Sequence, residues 1–113
     1  MPKIPIMSQS QNVKIVVYVP ESCADLVREV MGKAAGKMGN YSNCSFSCRG
    51  IGRFKPEDGA HPAIGEVGTL ELVEEERIEA ICSREHVKEV IAAIKEVHPY
   101  EEVALDVYPL EEV

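Results

Sequence analysis

The chain has 113 residues, 45 % of them apolar and 27 % charged, with a formal net charge of −7. This length suffices to bury about two-thirds of the unfolded surface around one core, so a single domain is expected. The acidic balance, with a pI near 4.9, argues against nucleic acid as a partner, because phosphate binding needs concentrated Lys and Arg.

The longest apolar run, Ile15 to Val19, is far too short to span a bilayer, and the opening "MPKIPIMSQSQ" lacks the apolar stretch of a signal peptide. A cytoplasmic protein without membrane contact is expected, with residues 1–11 a flexible tail and 12–113 the domain. In "NVKIVVYVP" Val13, Ile15, Val17 and Val19 alternate on one face and Pro20 ends the run, which predicts a strand. From Ser22 the period becomes helical: Cys23, Leu26, Val27, Val30, Met31, Ala34 and Met38 form a stripe. Ser22 is the expected N-cap and "GNY" the stop.

"CSFSCRGIGRF" predicts a second strand, whose Gly50 and Gly52 suggest a bulge or a close backbone approach. Thr69 to Cys82 reads as a third, with Leu70, Leu72, Ile78 and Ala80 on one face. Glu74 and Glu76 interrupt that face and are expected to be solvated or paired with Arg or Lys. Ser83 caps a second helix with the stripe Val87, Val90, Ile91 and Ile94; Pro99 ends it, and Val103 to Leu110 is the last strand.

Strand, helix, strand, strand, helix, strand is the α+β order of a ferredoxin-like βαββαβ sandwich, with both helices on one face of an antiparallel sheet. The opposite face would then carry Val16, Tyr18, Ile51, Val73, Ile81, Ala104, Tyr108 and Leu110. An apolar patch of that extent predicts a subunit interface. Within one strand Cys44 and Cys48 would stand about 13 Å apart, too far for a disulfide or a shared metal. Cys23 and Cys82 fall at apolar positions, so four buried or half-buried thiols are expected.

The segments "GNYSNCSF", "GIGRFKPEDGAHPAIGEVGTLELVEEERIEAI" and "IAAIKEVHPYEEVALDVYPL" resemble the domain inserted in YqfO-type proteins of the Nif-three-like, dinuclear-metal family, from about Val13 to Leu110. That domain is similar in fold to CutA and to the PII signalling proteins, so the resemblance implies a homotrimer. The two flanking halves that hold the family's metal ions are not in this sequence. CutA proteins carry a motif like "HPYE" followed by Pro-Glu-Ile, where this chain has Val103, Ala104 and Leu105.

The implied function is a non-enzymatic, oligomeric binding or regulatory module with a small molecule or divalent metal ion between subunits. The alternative is a purely structural trimerisation domain without the family's metal site. A separate protein could supply the missing halves. Tyr41, Cys44, His61 and Tyr100 are the candidate ligand-binding residues.

In "HPYEE", His98, Glu101 and Glu102 are the candidate metal ligands, since imidazole and carboxylate suit zinc or copper. The competing reading makes His98 a helix cap, Pro99 a stop and Tyr100 a packed ring, because a few polar groups in one turn do not close a coordination shell. The fourteen-residue stretch "KPEDGAHPAIGEVG" stands where PII proteins carry their regulatory loop, and long loops of this kind are often functional. "EEER" reads as a solvated strand segment.

Overall fold

The computed structural model describes residues 8–113. Six strands and two main helices follow in chain order: β1 Gln9–Pro20, α1 Ala24–Ala35, β2 Lys37–Met38, β3 Tyr41–Ser42, β4 Phe46–Phe54, β5 Glu71–Ser83, α2 Val87–Val97 and β6 Leu105–Glu111. The long strands form one antiparallel sheet in the order β4-β5-β1-β6, and β2 pairs only with β3. This is the expected ferredoxin-like arrangement. No helix among the described residues is long and apolar enough to cross a membrane.

The alternation read in β1 sets the core. Val13, Ile15, Val17 and Val19 face the helices together with Ile78, Ala80 and Cys82 of β5, and all are buried. Helix α1 lays Ala24, Val27, Met31 and Ala35 on this layer and α2 lays Val90 and Ile94. The expected α1 stripe is therefore rotated: Leu26 is exposed, and Met38 lies beyond the helix in β2. The chain leaves the helix at Gly36, whose φ of 72° favours glycine.

Several boundaries differ from expectation. β1 starts at Gln9, because Gln9 pairs with Glu111 and Ser8 accepts from Glu112 N–H; residues 9–11 are thus strand, and residues 1–7 of the expected tail lie outside the described residues. Ser22 does not cap α1, since a 3-10 turn at Glu21–Cys23 intervenes and Asp25 pairs with Arg28. Ser83 likewise binds the His86 ring (2.7 Å) at the start of a second 3-10 turn. Of the four thiols Cys82 is buried and Cys23 half-buried, but Cys44 and Cys48 are exposed, because none of the described residues covers the start of the β4 edge.

β5 begins four residues before its first partner in β1, the pair Pro20 and Glu75, so β4 and β5 project past the helices as a two-stranded arm. On its helix side Leu72 is 58 % and Ile51 49 % exposed. Ile51, expected on the open face, stands on the helix side because it pairs with Glu74. The open face is also less apolar than expected. Lys14, Arg77 and Glu79 are interleaved with Val16, Tyr18, Ile81 and Tyr108. The Arg77 guanidinium lies 5.9 Å from the Tyr18 ring centre and 3.2 Å from Glu79.

The register of β4 on β5 runs without interruption from Phe46 to Phe54, so the glycines mark no bulge. They differ from one another. A Cβ at Gly50 meets open space, whereas one at Gly52 collides with the Glu75 carboxylate. Gly50→Ala is expected to leave thermal unfolding within about 0.5 kcal/mol of the parent. Gly52→Val is expected to lose about 1–2 kcal/mol by pushing that carboxylate from its hydrogen bond.

Candidate functional site

Helix α2 ends where proline dictates. The residue before Pro99 is driven to extended geometry, and His98 has φ −70° and ψ 134° while its N–H closes the last turn on Ile94 (2.9 Å). The imidazole therefore turns inward and is 7 % exposed. Its Nδ1 accepts the Tyr100 N–H at 3.1 Å, and Nε2 lies 2.7 Å from the Tyr18 carbonyl. A nitrogen that accepts cannot carry the proton, so Nε2–H donates to Tyr18 and both ring positions are used.

The same turn aims Tyr100 at β5. Its hydroxyl donates to Glu75 Oε2 (3.1 Å) and its ring meets Phe54 edge-on at 5.5 Å. Burial and the charge of Glu75 both raise the Tyr100 pKa above the ordinary phenol value, which keeps the hydroxyl a donor. Glu101 then accepts the backbone N–H of His61 at 2.9 Å, tying the loop after β4 to the turn after α2. Between them opens a cleft of about 870 Å³ lined by Tyr18, Gly52, Phe54, Glu75, Tyr100 and the loop from Lys55 to Ile64.

The expected site residues are thereby separated. Tyr100, Glu101 and Glu102 line this cleft, His61 reaches its rim through its main chain, and His98 lies behind it. Tyr41 is exposed on the β2–β3 hairpin. Cys44 lines a second hollow of about 780 Å³ with Lys14, Phe46 and Ile81. Among the described residues no three His, Cys, Asp or Glu side chains converge as a metal site. Both His98 nitrogens are engaged, so its ring has no free lone pair for an ion in this arrangement, and one oxygen of Glu101 accepts from His61.

Sequence reasoning gave Glu75, Gly52, Phe54 and Tyr18 no part in a site, although the close approach it read at Gly52 is the one Glu75 makes. Glu75 stood within a run read as solvated, yet it is 9 % exposed. A signal was available in the shared parity of Gly52 and Phe54 on β4, which leaves a gap beside an aromatic ring.

No family model matches the chain. Curated proteins do: it is 54 % identical over 100 residues to a GTP cyclohydrolase 1 type 2 homolog of Bacillus subtilis, covering 88 % of this chain and 27 % of that protein. It is 44 % identical over 107 residues to that of Mycobacterium tuberculosis, covering 94 % and 28 %. A solved Bacillus cereus protein related to NIF3 superposes with a TM-score of 0.77 at 44 % identity, over 96 % of this chain and 27 % of that one. The periplasmic divalent cation tolerance protein CutA of Archaeoglobus fulgidus (TM-score 0.65, 19 % identity, 90 % and 86 % covered) and CutA1 of Oryza sativa (0.66, 13 %, 95 % and 84 %) share the fold. The chain thus spans little more than a quarter of the length of the relatives it matches in sequence.

Proposed function

We propose that this chain, which belongs to the NIF3-related GTP cyclohydrolase 1 type 2 homolog family as one segment of it, is a non-enzymatic module that assembles with copies of itself. The observation carrying the reading is a pair of different apolar surfaces on one chain. Ile51 and Leu72 stand uncovered on the helix side of the arm, and Phe46, Ile81 and Tyr108 on the open face of the sheet.

Two unlike surfaces that fit one another make a head-to-tail contact, which closes into a ring when the rotation permits. A ring of three is the arrangement the family resemblance implies. Any cyclohydrolase chemistry of the longer relatives belongs, on this reading, to their parts outside the matched segment.

Sedimentation velocity tests the reading. The parent is expected to run as a trimer at micromolar concentration, and Leu72→Glu and Tyr108→Lys each as a monomer, since each puts a charge into desolvated surface. Mixed together, the two variants retain one good arm and one good face between them and should form a dimer and no trimer. A monomeric parent would refute self-assembly. Variants that each assemble normally would refute these two surfaces.

A further inference from the structure

Glu75 is the least explained charge in the molecule. It is nine-tenths buried, and among the described residues no Lys, Arg or His nitrogen comes within 4.0 Å of its carboxylate. Burying an unpaired carboxylate costs several kcal/mol, and one hydrogen bond from Tyr100 to Oε2 offsets only part of this. The other oxygen, Oε1, lies over the bare Cα of Gly52 at the wall of the cleft. A side chain at residue 52 would occupy that space, so the glycine gives the carboxylate its place.

The surroundings select what could neutralise it. Three aromatic rings, Tyr18, Phe54 and Tyr100, line the same cleft, and the electron-rich faces of such rings attract cations. Of the charged residues around the cleft, five are acidic (Glu57, Asp58, Glu75, Glu101 and Glu102) and two are basic (Arg53 and Lys55), a balance that disfavours a phosphate or carboxylate ligand. A metal ion would need several converging donors, and no such group exists among the described residues. A volume of about 870 Å³ falls within the range of small-molecule sites, roughly 300–1,000 Å³.

We infer that the cleft binds a small organic cation, an ammonium or guanidinium group attached to an apolar body, with the charge on Glu75 Oε1 and the body against Tyr18, Phe54 and Tyr100. The lining comes from one chain, with Tyr18, Gly52 and Glu75 at one end of the open face that the assembly proposed above covers. Gly52 makes room for the carboxylate and Tyr100 holds it in place. Glu75 supplies the charge that distinguishes an amine from an alcohol.

The test is an NMR titration of the ¹⁵N-labelled full chain, at fixed salt, with n-butylammonium chloride and with n-butanol, its uncharged isostere. Saturable shifts at Gly52, Glu75 and Tyr100 are expected with butylammonium, with at least ten-fold weaker response to butanol. Glu75→Gln keeps an acceptor for Tyr100 but removes the charge, and should weaken butylammonium binding ten-fold or more. Glu89→Gln, exposed on α2 and outside the cleft, should change it less than two-fold.

Equal response to both probes, no saturable response, or equal losses in the two variants would overturn the inference. Sedimentation of Glu75→Gln supplies the remaining arm. An unchanged assembly is expected, whereas dissociation of the assembly would assign the Glu75 partner to a neighbouring copy and overturn the small-cation site. Failure of self-assembly in the parent would leave the titration readable, because the cleft is complete in one chain.

Discussion

Arg28→Met is expected to lose about 3 kcal/mol in urea unfolding, the lower end of the cost of orphaning a buried charge. Glu76 is 7 % exposed on the helix side of β5, where the strand otherwise buries Ile78 and Ala80. Arg28 of α1 reaches it at 2.6 Å, donates to Ser47 at 2.9 Å, and pairs with Asp25 at 2.5 Å. The guanidinium pKa is raised chiefly by the hydrogen bond to Glu76 and next by that to Asp25, so it stays charged throughout the accessible range.

The arginine itself is 26 % exposed, which is why the lower end of the range applies. Arg28→Lys should recover only part of the loss, since one ammonium cannot reproduce a fork that serves three acceptors. The double variant Arg28→Met with Glu76→Leu should stand closer to the parent than Arg28→Met alone, because it leaves no charge unpaired. Equal stability of Arg28→Met and parent would show that water already solvates Glu76.

His98→Ala is expected to cost about 3 kcal/mol, read by the same unfolding experiment. The substitution removes a buried ring and deprives the Tyr18 carbonyl and the Tyr100 N–H of their partners. Tyr100 should loosen with it, so the ring resonances of Phe54 and Tyr100 are expected to shift. Equimolar zinc should leave the parent's melting temperature and the His98 ring signals unchanged, since neither nitrogen has a free lone pair. Saturable zinc uptake by the parent, lost in His98→Ala with stability retained, would establish the metal reading of "HPYEE" in place of the structural one.

The architecture was legible because its signals are local. Alternation at Val13, Ile15, Val17 and Val19 needs no knowledge of any other strand to mark one buried face. Pro99 stops α2 wherever that helix packs. The order of six elements then leaves few topologies to choose among. Helix starts were less legible, since Ser22 and Ser83 look like caps in sequence while the chain spends three residues in a 3-10 turn after each strand.

What only the tertiary structure decided concerns partners distant in the chain. Ile51 has the same neighbours in sequence on either face, and its pairing with Glu74 sets it on the helix side of the arm. Glu76 and Glu75 are adjacent in one acidic run, yet pleating sends the first to Arg28 under α1 and the second to Tyr100 on the open side. The cleft exists only because Gly52 of β4, Glu75 of β5, Tyr18 of β1 and the turn after α2 meet at one end of the sheet. A strand's own sequence specifies which residues share a face, whereas what that face meets is specified by register and by segments tens of residues away.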